Sequence, residues 1–404
     1  MRPLLITVGS RGDVQPYLAL AAGLRAAGHR PLVAAPRRFG SLAARHGIDY
    51  VPLNDEMLDL QDAAKGGVRA AVTAARSVKP MLRRLLDDQA TLVDQHPDVV
   101  IYHPKSLGGP YIAEKLGVPA LAGLLLPLYV PTDEFTSPIV PVRLPRALNR
   151  AGWRIAAAVE APYRGTVRRW RAEALGLRAG FRPVADLVKA GRVLHGWSRH
   201  LLPAPADWPA TARPTGFWTL PAGDAWTPPD RLVAFLEAGD PPVYVGFGSM
   251  VPGDPAALTR TVVDAVRAAG RRALLATGWG GLRPDPQAEG VLVIDEAPHD
   301  WLLPRMAAVV HHGGVGTVAA ALRAGVPQVV RPFVGDQPFW ADRLHRLGVA
   351  PAPLTGRLTT ARLATAITAA SDSAAEARAL AGRMATEDGI AHAVSAIEDT
   401  LANR

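Results

Sequence analysis

The sequence predicts an α/β protein built from two similar halves, each containing a parallel sheet. Two stretches, beginning at Leu4 and Val243, show a short apolar strand, a glycine-containing loop and then a segment of helical periodicity. A segment rich in proline and glycine, residues 214–229, separates them. With 404 residues, 49% hydrophobic and 20% charged, the chain is long enough for two domains with buried cores.

The first half reads as a βαβ unit followed by further strands. An apolar strand over residues 4–8 leads into a helix over about 14–27, which Gly28 ends. The next strands are predicted at 31–34, 99–102 and 119–125. The turn Gly117-Val118-Pro119 marks the start of the last one.

The second half repeats this plan, and we expect the boundary near residue 220. Strands are predicted at 243–246, 272–276, 291–294, 308–311 and 328–330, with helices over 255–269, 314–324 and the alanine-rich tail from 360. Ligands of open parallel sheets bind beyond the carboxyl ends of the strands. We therefore expect the chemistry in strand-to-helix loops, in a cleft between the halves.

The composition excludes several classes of site. There is no cysteine, which rules out disulfides, thiolate metal ligands and a cysteine nucleophile and agrees with a reducing, cytoplasmic location. The first apolar run is too short for a signal peptide. The longest apolar stretch, 120–130, contains Pro127 and falls below the roughly 18 residues that span a bilayer, so no transmembrane segment is expected.

The net charge of +9 comes mostly from scattered arginines, with one basic stretch at residues 143–171. Two interpretations stay open: a basic amphipathic surface for a membrane or an acidic partner, or a solvated helix face. No nucleic-acid-binding signature accompanies it, so a nucleic-acid partner is not expected. The sequence does not indicate an oligomeric state.

The loop after the first strand, Gly9-Ser10-Arg11-Gly12-Asp13, places a carboxylate near the start of a helix. Aspartate is strongly preferred as a helix cap, so Asp13 has an ordinary structural interpretation. It also has a catalytic one, because a carboxylate within hydrogen-bond reach of an alcohol can accept its proton. Gly9 and Gly12 do not match the spacing G-x-G-x-x-G, which disfavours a nicotinamide enzyme.

The loop after the strand at 308–311 reads His311-His312-Gly313-Gly314-Val315-Gly316-Thr317. This loop is typical of an anion-binding site, with glycines, free amides at a helix start and a threonine hydroxyl. His312 can add a hydrogen bond to the anion. The alternative is that the histidine pair packs or binds a metal. No acidic residue stands beside the pair at ligand spacing and no Asp-x-Asp occurs, so we predict a diphosphate and no metal.

The segment Gly335-Asp336-Gln337-Pro338 combines a carboxylate with an amide. Asp336 accepts hydrogen bonds, and Gln337 both accepts and donates them, which matches the vicinal hydroxyls of a sugar. The structural alternative is that Asp336 caps a helix whose first turn contains Pro338.

These motifs together carry a resemblance to the UDP-glycosyltransferase family. Three segments resemble its donor-binding signature: Ala297-Pro298-His299-Asp300-Trp301, His312 to Thr317 and Gly335-Asp336-Gln337-Pro338-Phe339-Trp340. With Gly9 to Pro16, residues 126–132 and Gly216-Phe217-Trp218, the chain is most similar to the sterol 3-beta-glucosyltransferases and the antibiotic glycosyltransferases.

The resemblance implies the GT-B fold, two Rossmann-like domains whose parallel sheets face one another across a cleft. Residues 1–220 would bind the acceptor, residues 221–385 the nucleotide sugar, and residues 386–404 would form a helix packing back on the first domain. Asp13 would be the catalytic base, and His103 would assist it or line the acceptor pocket. The other site residues implied are Leu126 and Tyr129 for the acceptor, and Ser10, Arg11, Ser249, Ala297, Trp301, His312, Gly314, Gly316, Thr317, Asp336 and Gln337 for the donor.

The predicted function is inverting, metal-independent transfer of a hexose from a UDP- or TDP-sugar to a hydroxyl of a sterol, polyketide or polyphenol. The nucleotide sugar is a co-substrate, and no other cofactor is expected. One alternative is a nucleotide-sugar epimerase of the same fold, which the apolar run over 120–129 disfavours because it suits a hydrophobic acceptor. The other is a non-catalytic helper, against which the intact Asp13, His312 and Asp336 argue.

Overall fold

The computed structural model describes residues 1–58, 68–140, 143–190, 192–221, 226–248, 254–277, 282 and 289–402. The chain divides into two compact units. Unit 1 comprises Met1–Arg199, Pro203–Leu220 and Asp388–Arg404, and unit 2 comprises His200–Leu202 and Pro221–Glu387. The short piece His200–Leu202 is tied to unit 2 by Arg343, whose Nε donates to the Leu201 carbonyl at 2.6 Å.

Unit 1 contains, in its described part, a seven-stranded sheet in the order β3-β2-β1-β4-β5-β6-β7, in which every neighbouring pair is parallel. The strands are β1 Pro3–Ile6, β2 Leu32–Pro36, β3 Asp49–Leu53, β4 Val99–Tyr102, β5 Ala120–Leu124, β6 Arg192–His195 and β7 Ala212–Pro214. Its helices are α1 Arg11–Ala26, α2 Gly40–Arg45, α3 Val68–Ala90, α4 Gly109–Leu116, α5 Asn149–Ala157, α6 Arg164–Leu175, α7 Val184–Ala190 and, from the end of the chain, α15 Gly389–Ala402.

Unit 2 contains a five-stranded parallel sheet, within the residues described, in the order β10-β9-β8-β11-β12. Its strands are β8 Val243–Gly246, β9 Ala273–Ala276, β10 Val291–Ile294, β11 Ala308–His311 and β12 Gln328–Val330. Its helices are α8 Asp230–Glu237, α9 Pro255–Ala268, α10 His299–Leu302, α11 Val315–Ala324, α12 Gln337–Arg346, α13 Thr360–Ala369 and α14 Ala374–Met384. The predicted α/β class with two parallel sheets is confirmed.

The core of unit 1 joins the two ends of the chain. Ala393, Val394 and Ile397 of α15 are buried in the same hydrophobic cluster as the residues of α1. The helices approach closely, since a Cβ on Gly23 would lie 2.0 Å from Ile390 Cγ2. Gly389 likewise touches the backbone near Gly216, where a Cβ would lie 2.5 Å from the carbonyl carbon.

Two sequence predictions need correction. Helix α1 begins at Arg11 and not near residue 14, because Ser10 occupies the N-cap and Asp13 reaches back to its N–H. Residues 214–220, which composition assigned to a linker, pack into unit 1: Trp218 is buried, and its Nε1 donates to Thr215 Oγ1 at 3.0 Å.

Strands β3, β6 and β7 were not predicted. The edge strands β3 and β7 contain prolines, which are rare within strands, and β6, Arg192–His195, has a polar residue at each end, so none of the three is a continuous apolar run. Within the described residues, no helix combines the length and apolar character needed to cross a bilayer.

Candidate functional site

The candidate residues lie where the strand order of each sheet reverses. In unit 1 this point falls between β1 and β4, and in unit 2 between β8 and β11. Open α/β sheets bind ligands at such switch points, beyond the carboxyl ends of the strands. Asp13 lies in the first turn of the helix that follows β1, His103 directly follows β4, and His312 directly follows β11.

Asp13 is the third residue of α1, and its carboxylate turns back toward the start of the helix. Its Oδ2 accepts hydrogen bonds from the Ser10 N–H at 2.8 Å and from the Ser10 hydroxyl at 3.2 Å. Gly9 leaves the necessary room, because a Cβ there would lie 2.2 Å from Asp13 Oδ2. Gly9 also has φ +129°, a conformation that L side chains rarely adopt.

The other carboxylate oxygen of Asp13 faces the loop after β4. Lys105 Nζ lies 2.7 Å from Oδ1, and His103 Nε2 lies 3.4 Å from the same atom. The Asp13 side chain is 15% exposed, that of His103 8% and that of Lys105 52%. Sequence reasoning singled out Asp13 and His103 but missed Lys105, whose one signal was its place two residues after His103.

His103 is held in one tautomer. Its Nδ1 accepts a hydrogen bond from the Lys105 backbone N–H at 3.1 Å, so the proton of the neutral ring is on Nε2, the nitrogen that lies 3.4 Å from Asp13 Oδ1. Burial lowers the pKa of His103 to about 4, and the nearby Asp13 only partly opposes this. Near neutral pH the imidazole is therefore uncharged, and the carboxylate is the basic partner of the pair.

Opposing effects set the pKa of Asp13. Burial acts to raise it, but the charge of Lys105, together with His103 and the Ser10 N–H, outweighs burial and lowers the pKa below its ordinary value. A carboxylate surrounded by donors stays ionised at neutral pH. It can accept a proton once a hydroxyl replaces one of these donors.

The ring of Tyr17 packs beside that of His103. Its hydroxyl donates to the Gly123 carbonyl at 2.6 Å, and its ring lies 5.9 Å from that of His103, centroid to centroid. Leu126 and Tyr129, predicted to contact the acceptor, follow β5 and are partly buried. Tyr129 adopts φ 71°, which few non-glycine residues do, and this marks a tight turn after the strand.

Ser10 and Arg11, predicted to lie near the diphosphate, are exposed at the start of α1. Ser10 is already bonded to Asp13. Arg11 Nε donates to Gln15 Oε1 at 3.1 Å, so its side chain extends along the helix in this structure.

The two histidines after β11 differ sharply in their surroundings. His311 is fully buried: its Nε2 lies 2.9 Å from Gln328 Oε1, and its Nδ1 accepts from the Gly313 N–H at 3.0 Å. His312 is only partly buried, and its Nδ1 has no hydrogen-bond partner among the described residues. Burial lowers the pKa of His312 to about 4, so the ring is neutral near pH 7.

Helix α11 begins beside His312. Gly314 is its N-cap, and Val315, Gly316 and Thr317 form the first turn, whose backbone N–H groups have no partner within the helix. Gly316 is exposed, and Thr317 is partly exposed. This helix start supplies the positive end of a helix dipole and several amide donors, which together favour an anion.

Asp336 and Gln337 are at the start of α12, and both already have partners. Asp336 Oδ2 accepts from the buried indole of Trp340 at 2.8 Å. Gln337 is buried, and its Oε1 accepts from the backbone N–H groups of Phe333 at 2.7 Å and Val334 at 3.1 Å. The side-chain carbonyl of Gln337 thus holds the preceding loop in place.

Two of the residues predicted to lie near the nucleoside or diphosphate, Trp301 and Ala297, belong to unit 2. Trp301, in α10, packs against Trp226 with 5.1 Å between ring centroids, and the guanidinium of Arg305 lies 4.2 Å from its ring. Ala297, between β10 and α10, is partly exposed. Ser249 lies outside the described residues.

Comparison with known proteins identifies the family. Residues 4–132 match the model of the glycosyltransferase family 28 N-terminal domain, and residues 284–396 match that of the erythromycin biosynthesis protein CIII-like C-terminal domain. The sterol 3-beta-glucosyltransferase of Emericella nidulans is 36% identical over 97% of this chain. The chain belongs to the UDP-glycosyltransferase family. Within this family it resembles the sterol and antibiotic subgroup.

The chain spans only part of the curated members of the UDP-glycosyltransferase family that it matches. It covers 29% of the Emericella nidulans enzyme. A sterol 3-beta-glucosyltransferase of Arabidopsis thaliana, UGT80A2, is 34% identical over 98% of this chain and 65% of its own length.

Solved glycosyltransferase structures show the same fold. The calicheamicin glycosyltransferase CalG4 is 21% identical with a TM-score of 0.73, over 100% of this chain and 98% of its own. The Streptomyces sp. SF2575 glycosyltransferase SsfS6, complexed with thymidine diphosphate, is 24% identical with a TM-score of 0.64, over 99% of each chain. The GT-B class predicted for this member of the UDP-glycosyltransferase family is confirmed.

Proposed function

We propose that the protein is an inverting glycosyltransferase that transfers a hexose from a UDP- or TDP-sugar to a hydroxyl of an apolar small molecule. The observation that carries the proposal is the Asp13 carboxylate, held ionised beside neutral His103 at the switch point of a Rossmann-like sheet. A base in this position suits deprotonation of an alcohol, which direct displacement requires.

The proposed reaction is a single displacement. Asp13 accepts the proton of the acceptor hydroxyl while the acceptor oxygen attacks the anomeric carbon. The bond from that carbon to the diphosphate breaks on the opposite face. The configuration therefore inverts. His312 and the amides at the start of α11 stabilise the charge that develops on the leaving diphosphate.

We extend the proposal to the absence of a metal requirement. The support for this is the start of α11 in unit 2, where the positive end of the helix dipole lies next to neutral His312. The amides of this helix start and a hydrogen bond from His312 can stabilise a diphosphate in place of a cation. Addition of a chelator should therefore leave the transfer rate unchanged. A rate restored only by a divalent cation would overturn this part.

For the sugar, we propose that Asp336 and Gln337 bind its hydroxyls, Gln337 through its NH2 group because its Oε1 is already bonded. We propose Ala297 and Trp301 as nucleoside neighbours. Both a uridine and a thymidine diphosphate stay within the proposal, because the curated relatives are glucosyltransferases and a structural neighbour was solved with thymidine diphosphate.

For the acceptor, we propose a hydrophobic molecule with one accessible hydroxyl, of sterol or polyketide type. The names of the relatives favour a sterol, whereas those of the structural neighbours favour natural products. Leu126 and Tyr129 are the proposed acceptor contacts beyond His103.

We also propose that the basic stretch 143–171 contacts an anionic membrane surface. Arg150 and Arg171 do not belong to this surface, because they pair with Asp133 and Asp207 and with Glu114, respectively. The exposed arginines of the stretch include Arg146, Arg154, Arg168 and Arg169, and Leu148 is 51% exposed. Arg146→Glu with Arg154→Glu should abolish cosedimentation with phosphatidylserine vesicles. Equal binding to phosphatidylcholine vesicles would contradict the proposal.

The cytoplasmic location stays a prediction.

Two measurements test the proposed function: the release of nucleotide diphosphate and the mass of the product. Both use UDP- and TDP-sugars with a panel of sterols and polyketides as acceptors. Asp13→Asn and Asp13→Ala should abolish transfer and leave nucleotide affinity within a few-fold. Asp94→Asn, at an exposed position of unit 1, is the matched control. Near-normal turnover by either Asp13 variant would refute the assignment. Interconversion of UDP-glucose and UDP-galactose without any acceptor would favour the epimerase instead.

A further inference from the structure

The Asp13 carboxylate has donor groups beside both of its oxygens in the free protein. Lys105 Nζ and His103 Nε2 face Oδ1 at 2.7 and 3.4 Å, and the Ser10 N–H and hydroxyl face Oδ2 at 2.8 and 3.2 Å. A carboxylate accepts about four hydrogen bonds. Ser10 and Lys105 make three of these hydrogen bonds, and His103 Nε2 stands beside the remaining position, so an incoming hydroxyl must compete with these groups for Asp13.

The four donors differ in how readily they can leave. The Ser10 N–H is fixed at the start of α1, and its hydroxyl belongs to the same residue. His103 is buried, and its ring is held by the Lys105 backbone N–H. The Lys105 ammonium stands on a flexible four-carbon chain whose side chain is 52% exposed, so water can solvate it after it leaves.

We propose that Lys105 is a displaceable counter-ion of Asp13, whose ammonium orients the carboxylate in the free protein and gives up its position on Oδ1 to the acceptor hydroxyl. This inference rests on the proposed function, in which Asp13 is the base. The ion pair itself belongs to the free protein and can be tested without any substrate.

Such an exchange has a chemical advantage. While Lys105 is bound, the carboxylate is a weak base and is protected from protonation. Displacement removes a positive charge from Oδ1 as the hydroxyl arrives, which strengthens the base when a proton must be taken up. Lys105 is thus a positioning residue that acts through Asp13.

The other titratable groups around Asp13 do not supply this charge. His103 is neutral near pH 7 because burial lowers its pKa to about 4. Tyr17 is neutral because burial raises its pKa well above its ordinary value, and its hydroxyl donates to Gly123. The neighbouring guanidinium of Arg11 bonds Gln15.

The decisive measurement is an NMR titration of the protein labelled with ¹³C at the aspartate carboxyl carbons. Asp13→Asn identifies the Asp13 signal by its loss. The midpoint of this signal should rise by about one pH unit or more in Lys105→Met and stay at the wild-type value in Lys105→Arg, which keeps the charge. Lys115→Met, at an exposed lysine of α4, is the control that should not move it.

An unchanged midpoint in Lys105→Met would overturn the role of Lys105 whether or not any sugar transfer is found. Absence of transfer by the wild-type protein would instead defeat the proposed function and leave the titration result standing. The two failures are therefore distinguishable.

Kinetics test the displacement. In Lys105→Met the acidic limb of kcat/KM should move to higher pH, because transfer needs an ionised Asp13 and activity falls as the pH drops through its pKa. Above that limb, the acceptor KM should fall several-fold while the donor KM is unchanged, since the hydroxyl no longer competes with an ammonium. An acceptor KM equal to that of the wild type would overturn the displacement.

Discussion

The imidazole of His312 occupies the space that a side chain on Gly314 would need. A Cβ on Gly314 would lie 2.5 Å from His312 Nε2, closer than a carbon and a nitrogen can approach without a bond. The backbone of Gly314 has φ −63° and ψ 134°, which any residue can adopt. Glycine is required here by the position of the histidine and not by backbone strain.

Gly314→Ala should therefore displace His312 and weaken the binding of nucleotide diphosphate. The loss of one hydrogen bond to a charged group predicts a dissociation constant about ten-fold higher or more, measured by calorimetry. Gly382→Ala is the matched control, since Gly382 is exposed in α14 and a Cβ there meets nothing within 4 Å. Unchanged affinity in Gly314→Ala would show that His312 does not contact the phosphates.

The two neighbouring histidines should respond in opposite ways to truncation. His311→Ala leaves the buried Gln328 and the Gly313 N–H without partners and should cost about 2–4 kcal/mol of unfolding free energy. His312→Ala removes a partly exposed ring whose Nδ1 has no partner in the described structure, so it should change stability by less than about 1 kcal/mol and weaken nucleotide binding instead. Urea unfolding and calorimetry measure both; a His312→Ala protein as unstable as His311→Ala would contradict this division.

Gly9→Ala should lower turnover strongly. The new Cβ would collide with Asp13 Oδ2 and would also strain the backbone at φ +129°, so the carboxylate must move. Because a positioned base contributes about a hundred-fold or more, kcat should fall by at least about that factor, with nucleotide affinity within a few-fold of wild type. Gly165→Ala, at an open and exposed position of α6, should keep wild-type turnover. Equal kcat values in both variants would argue against Asp13 as the base.

His195 should make the protein sensitive to acid. Its ring stacks on Trp197 at 4.2 Å and lies 4.6 Å from Trp208, and neither ring nitrogen has a partner among the described residues. Burial lowers the pKa of His195 to about 3, against about 6.5 in an unfolded chain. The unfolded state therefore binds the proton first, and stability is lost as the pH falls from about 6.5 toward 3.

His195→Phe removes this titration and keeps the aromatic stack. Its stability relative to wild type should be greater at pH 5 than at pH 7.5 by about 2 kcal/mol, measured by urea unfolding at both pH values. The same difference at the two pH values would show that the imidazole is protonated equally in the folded and unfolded states.

Strands that form a short apolar run were predictable because this signal is local. Five strands have the bounds that the sequence predicts: Val99–Tyr102, Val243–Gly246, Val291–Ile294, Ala308–His311 and Gln328–Val330. A parallel strand covered on both faces reads as a continuous apolar run between loops. The edge strand β3, Asp49–Leu53, lacks such a run because Asp49 and Pro52 interrupt it, whereas β10, Val291–Ile294, also at an edge, is apolar throughout.

By itself, the sequence determined the two parallel sheets, the helix that begins beside His312 and the candidacy of Asp13, because each depends on residues within one strand–loop–helix segment. It left open whether Asp13 caps a helix or acts on a substrate. Only the tertiary structure decided its surroundings: Asp13 accepts from Ser10 at the helix start and from Lys105, 92 positions away. That contact exists because β1 pairs with β4, and strand order is a property of the whole sheet that no local pattern of residues encodes.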